Sequence, residues 1–190
     1  VYYGDFSDTF SDITLRNIFQ YFNECDGLII DVRNNGGGYL NLSEQLASYF
    51  FERDTITGYM SHKTGDGHSD FSTPDSIKTS AHKTIKWQRP IVILTNRMSY
   101  SATNSFVSRM KMAPQAIIIG DKTGGGGGLP LSSEIPNGWM VRFSACPMFD
   151  ANMKHTEWGI DPDIKIDLDS ADVAKGYDTM IEKAINVLSQ

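Results

Sequence analysis

Residues 27–38 read Gly27-Leu28-Ile29-Ile30-Asp31-Val32-Arg33-Asn34-Asn35-Gly36-Gly37-Gly38. The stretch to Val32 is a continuous apolar run broken only by Asp31. A strand that runs apolar in this way is covered on both faces, as in a parallel sheet. The glycines end it, and a helix is expected from about Leu42 to Phe51. Two more such runs follow: Ile91-Val92-Ile93-Leu94-Thr95 after Pro90, and Ala116 to Ile119. A helix is expected between them, from about Ser101 to Met112, with Phe106, Val107 and Met110 as its apolar stripe. Buried strands alternating with helices imply right-handed βαβ units and a parallel sheet. In such sheets, sites lie beyond the carboxyl ends of the strands. The glycine and serine turns after these three strands should therefore converge.

Outward from this centre, residues 1–6 read as a short strand. Ser11 or Asp12 is placed to cap a helix to about Asn23, with Ile13, Ile18, Phe19 and Phe22 near helical spacing. Residues 54–60 suit a strand, and the polar stretch 61–89 a mobile loop or edge hairpin. Residues 131–149 read as a hairpin around Pro136-Asn137-Gly138. A last helix is expected from about Ala171 to Leu188. The fold class is thus α/β, a mostly parallel sheet with flanking helices and an added β-hairpin. A chain of 190 residues suits one domain. It begins with Val1, which leads us to expect a fragment or processed form, with an upstream part missing.

The net charge is −6 and no Lys/Arg cluster is present, which argues against nucleic acid as a partner. No apolar run approaches the roughly 20 residues that span a bilayer. Cys25 and Cys146 lack CxxC spacing, so they read as small buried apolar residues rather than zinc ligands, with a disulfide between them left open. No metal or cofactor is expected.

Four constellations carry candidate chemistry. The Gly36-Gly37-Gly38 turn can aim bare N–H groups at a developing oxyanion, or simply be a flexible turn. In Asn96-Arg97-Met98-Ser99-Tyr100-Ser101-Ala102-Thr103-Asn104, a serine stands where a strand meets a helix N-terminus. That position favours a nucleophile with negative charge building on it, but Ser99 or Ser101 is equally placed to be a plain helix cap. Gly124 to Gly128 suits an anion-cradling loop or a lid. His155, Glu157, Asp161 and Asp163 crowd one turn-rich loop.

The order of these motifs resembles that of the tail-specific, C-terminal-processing and tricorn-like serine peptidases, the S41 type. That family carries GLIIDLRxNGGG, a hydrophobic strand after proline, SxSAxE, a GxxTxG loop and GxxPD. Here the series is GLIIDVRNNGGG, RPIVILT, SYSAT, IIIGDKTGG and GIDPDI, within residues 1–167. The resemblance implies a crotonase/ClpP-like core, Ser101 as nucleophile, and an oxyanion hole at the N–H groups of Gly37 and Ala102. It implies a polypeptide substrate and no cofactor, and an extracytoplasmic location in the periplasm or cell envelope. It also makes Glu157 the match to the family's relay glutamate.

The chain departs from the pattern at the general base. The lysine-dyad branch has a lysine 25 residues after its serine, where this chain has Gly126. The tricorn-like branch uses a histidine on the first core strand, where this chain has Tyr2. Asn104 replaces the usual acidic residue after the serine. His155 and Lys122 remain possible bases within the chain, the alternative being a base supplied from outside it or lost. If it is lost, the chain is instead an inactive relative that binds peptides by strand addition along the 131–149 hairpin. Acyl-CoA chemistry has only fold analogy behind it.

Overall fold

The computed structural model describes residues 1–7 and 11–190. Ser11 caps α1 (Asp12–Tyr21), its Oγ accepting the Thr14 N–H at 3.1 Å. The buried stripe of α1 is Leu15 and Phe19, whereas Ile13 faces solvent. A 3-10 turn, Phe22–Glu24, leads into β1 (Leu28–Asp31), followed by α2 (Leu40–Ser48) and β2 (Thr55–Met60). Next come β3 (Asp75–Thr79), β4 (Ile91–Thr95), α3 (Ala102–Met110) and β5 (Ala116–Gly120). The chain then makes β6 (Pro130–Glu134), β7 (Met140–Ser144), β8 (Met148–Asp150) and β9 (Ile164–Lys165), and ends in α4 (Ser170–Ala174) and α5 (Thr179–Leu188).

The main sheet has the order β1-β4-β5-β9, and its neighbours are parallel. Ile30 lies opposite Ile93, which lies opposite Ile118. Side chains alternate along β4. Ile91 and Ile93 enter a core shared with α1, α2 and α3, while Val92 and Leu94 enter a second core with Met180 and Ala184 of α5. Both faces are covered, which is why the run carries no polar alternation. Each of these four side chains is almost completely buried, a stabilisation of about 1.5–3 kcal/mol apiece.

The remaining strands depart from the expected pattern in three places. Residues 1–6 make only isolated parallel bridges, Tyr2 to Asp31 and Phe6 to Gly38, instead of a strand. The stretch 61–89 contributes the edge strand β3 and the buried Trp87, so much of it is ordered by packing on β2 and the core. The predicted hairpin exists as β6 and β7, but residues 148–150 leave it and pair antiparallel with β2 as β8. The last helix is broken. Gly176 has φ 83°, a left-handed conformation that stops α4, and Asp178 restarts the chain by accepting the Met180 and Ile181 N–H groups. Cys25 and Cys146 are free thiols, and both are half-buried rather than fully buried.

Candidate active site

Three strand-end turns are tied together by short polar contacts. Asn34 and Asn96 bond reciprocally, N–H to Oδ1 at 3.0 Å and Nδ2 to Oδ1 at 2.9 Å. Ser99 is buried; its Oγ donates to the Val32 carbonyl at 2.9 Å and accepts the Asn96 N–H at 3.1 Å. The Tyr100 N–H reaches the Asn35 carbonyl at 3.0 Å. Thus the turn after β1 and the turn after β4 form one unit. Arg33 anchors its back. The guanidinium makes two bonds to the Asp31 carboxylate, at 2.9 and 2.6 Å, and pairs with Asp178 at 2.8 Å. Hydrogen bonding to Asp31 is the main cause that raises the Arg33 pKa. Asp31 and Arg33 therefore hold the turn in place and do not line the cleft.

Ser101 stands immediately before α3 with φ 58° and ψ −119°. A non-glycine residue at positive φ is strained by on the order of 1–3 kcal/mol. Its N–H donates to the Gly125 carbonyl at 2.8 Å, and its carbonyl accepts from Ser105 at 3.0 Å. The side chain makes no capping bond, so the plain cap role does not describe it. Gly37 presses on this turn. A Cβ at Gly37 would lie 2.7 Å from the Tyr100 carbonyl, 2.8 Å from Ser101 Cβ and 2.9 Å from the Ala102 nitrogen. Only glycine allows that approach.

The Gly37 N–H is already engaged, donating to Asn35 Oδ1 at 2.9 Å. Asn35 is fully buried and uses both ends of its amide: Oδ1 also accepts the Thr103 hydroxyl at 2.6 Å, and Nδ2 donates to the Tyr3 carbonyl at 2.9 Å. Among the described residues, no hydrogen bond is made by the N–H of Gly38 or of Ala102. Ala102 is the first residue of α3, where N–H groups lack intrahelical partners and the helix dipole is positive. Gly38 and Ser101 both line an open cleft of about 490 Å³, together with Tyr100, Gly126, Arg142 and Phe143. Asn35 is the positioning residue that sequence reasoning missed; its place before the glycines gave no sign that its side chain would organise them.

The run Gly124 to Gly128 is a packed strap, not a lid. Tyr100 bridges to Gly125 in parallel fashion, and the Gly126 N–H donates to the Glu157 carbonyl at 3.0 Å. Gly125 meets the Glu157 carbonyl too closely to carry a side chain. The strap thus spaces the Ser101 turn from the Glu157 loop. The Glu157 carboxylate accepts the Ser144 hydroxyl at 2.9 Å, and Ser144 lines the Ser101 cleft. Asn104 is buried and bridges two loops. Its Nδ2 donates to the Thr156 carbonyl at 3.0 Å, and its Oδ1 accepts the Thr123 hydroxyl at 2.6 Å. That pattern needs a donor and an acceptor, which an ionised carboxylate does not supply.

His155 and Lys122 are not brought to Ser101. The His155 ring packs on Phe149 with centroids 4.3 Å apart and lines a neighbouring hollow that also contains Glu157. Lys122 pairs with Asp161 at 3.6 Å. Tyr2 is exposed, and His82 stacks on Tyr49. Among the described residues, no histidine or lysine lines the Ser101 cleft.

A model of peptidase family S41 matches residues 5–166. The carboxy-terminal processing protease CtpB of Bacillus subtilis strain 168 is 27% identical over 165 residues, spanning 83% of this chain and 32% of CtpB. A crystal structure from Parabacteroides merdae ATCC 43184 is 52% identical with a TM-score of 0.95, covering 98% of this chain and 59% of that one. Mature CPAF complexed with lactacystin shares the fold at 17% identity, with a TM-score of 0.83 over 98% of this chain and 50% of its own. The chain therefore spans about a third of the curated relative and between half and three-fifths of the two solved chains.

Proposed function

The chain belongs to peptidase family S41, a family of serine peptidases, and on that premise we propose that residues 1–190 form the catalytic core of a longer peptidase in which Ser101 attacks the scissile carbonyl of a polypeptide. The supporting observation is the strained Ser101 at a strand-to-helix turn, opening on a cleft and backed by Gly37. The hydroxyl adds to the carbonyl carbon while its proton passes to a general base. The resulting oxyanion is held by the Ala102 N–H and by a donor of the glycine turn. Gly38 suits that second role better than Gly37, whose N–H is committed to Asn35. Collapse of the tetrahedral species expels the amine and leaves an acyl-serine that water hydrolyses.

Glu157 orients the base instead of acting as one, since its carboxylate is set beside the cleft by Ser144. The base itself comes from a part of the protein outside these 190 residues. C-terminal processing of polypeptides is the activity we propose, by likeness to the carboxy-terminal processing protease CtpB, and the extracytoplasmic location proposed with it rests on the family resemblance. Among the described residues no helix is long and apolar enough to cross a membrane. The experiment is peptide hydrolysis by the full-length protein and its Ser101→Ala variant. The variant is expected to lose at least about 10³-fold in kcat. Unchanged hydrolysis would refute the nucleophile.

A further inference from the structure

The walls of the Ser101 cleft are chemically unequal. One side is backbone, with Gly36, Gly38 and Gly126 offering no side chain by which to tell one substrate from another. Discrimination therefore falls on the side chains present, Tyr100, Arg142 and Phe143 above all. Among the described residues that line the cleft, Arg142 alone is charged.

Arg142 differs from the cations of this acidic chain that are held in ion pairs. Arg33 is paired with Asp31 and Asp178, Arg97 with Asp121, Lys111 with Asp163, and Lys122 and Lys154 with Asp161. The Arg142 guanidinium makes no ion pair or hydrogen bond among the described residues, and the nearby Glu157 carboxylate is held by Ser144 instead. Arg142 and Ser144 are two apart on β7, so the strand presents them on one face. An unpaired guanidinium offers a planar fork of donors that matches a carboxylate.

We propose that Arg142 is a specificity determinant that selects polypeptide substrates carrying a carboxylate within a few residues of the scissile bond. This rests on Ser101 being the nucleophile. The carboxylate has two possible sources, an Asp or Glu side chain or the free C-terminus of a short tail.

The test uses the full-length protein and three peptide sets built on one cleaved sequence. In the first, Asp is moved through the three residues on either side of the scissile bond, with an amidated C-terminus. The second replaces that Asp by Asn. The third keeps Asn and ends near the bond in a free carboxylate. At one position, Asp is expected to exceed Asn in kcat/KM by about 5-fold, the size of one solvent-exposed charge pair near 4 Å. The ratio should shrink at 0.5 M salt, because screening weakens such pairs. In Arg142→Glu the preference should invert, with Lys at that position favoured over Asp, a reversal that a merely structural role of Arg142 would not produce. A gain confined to the third set would support the same pairing and identify the chain end as its source. Cleavage of all peptides at equal kcat/KM would overturn the assignment of Arg142 alone. No cleavage of any peptide, with Ser101 unreactive, would overturn both this and the nucleophile.

Discussion

Ser101 and Glu157 lie on opposite sides of one glycine strap, and the chain builds the two sides differently. On the Ser101 side every element is fixed. Ser99, Asn34, Asn35 and Asn96 knit two strand ends together, the Gly125 carbonyl holds the Ser101 N–H, and the strained φ is set by the packed helix behind it. On the Glu157 side the carboxylate has one hydroxyl partner, and that hydroxyl sits at the end of β7, a strand exposed along its length. His155 shares with Glu157 a hollow beside the Ser101 cleft. On the proposed reading, the attacking and oxyanion-holding groups sit on the fixed side. The proton-transfer half depends on groups that this chain only partly supplies.

Breaking the fixed side should cost most. Gly37→Ala places a methyl group within 2.9 Å of three atoms of the Tyr100–Ala102 turn, at a φ of 101° that disfavours side chains. We expect peptide hydrolysis by the full-length protein to fall about 10³-fold, the upper end of what loss of an oxyanion donor costs, while circular dichroism still reports a folded chain. Hydrolysis within a few-fold of the parent would show that the close approach is incidental. On the adjustable side, Glu157→Gln keeps an acceptor for Ser144 but removes the charge. A loss in kcat on the order of 10²-fold is expected, because the base would lose the charge that orients and supports it. No loss would place Glu157 outside the relay.

A third comparison stays within the fixed side and reads stability. Ser101→Gly relieves the positive φ, whereas Ser101→Ala keeps it. Urea unfolding should show the glycine variant more stable than the alanine variant by about 1 kcal/mol. Equal stabilities would mean that the turn is not strained. The smallest effect concerns the loop that follows Glu157. The Lys154 ammonium, and beyond it Lys122, hold the Asp161 carboxyl below its ordinary pKa, against an opposing effect of burial. A depressed carboxylate pKa stabilises the fold above the unfolded value of about 3.9. The contribution is lost as pH falls through the lower folded value. Lys154→Met should therefore lower Tm slightly at pH 6 and leave it unchanged near pH 2. An equal difference at both pH values would contradict the pairing.

The parallel core was legible because its signal is short-range. Leu28–Val32, Ile91–Thr95 and Ala116–Ile119 are apolar on both faces, and burial on both faces is what the two cores then show. The family motifs likewise placed Ser101 and the glycine turn together. What was not legible depends on long-range pairing or on single polar atoms. Met148–Asp150 continues the local pattern of the hairpin, yet pairs with β2, a partner about 90 residues back along the chain. The engagement of the Gly37 N–H by Asn35 Oδ1 follows from one side-chain rotation that no spacing encodes. The two-residue interval between His155 and Glu157 suggested a shared face, and both line one hollow, but the packing of the imidazole on Phe149 was not readable from that interval. The break at Gly176 was readable as a glycine but not as a stop, since an isolated glycine is tolerated in many helices.

The most direct measurement of the central claim is a crystal structure of the full-length protein after reaction with a fluorophosphonate. The adduct's phosphoryl oxygen stands where the oxyanion of the tetrahedral intermediate would form. A covalent bond to Ser101 Oγ is expected, with that oxygen about 3 Å from the Ala102 nitrogen and from the Gly38 nitrogen. A phosphoryl group attached to another residue, or bonded to Ser101 with its oxygen turned away from both nitrogens, would contradict it.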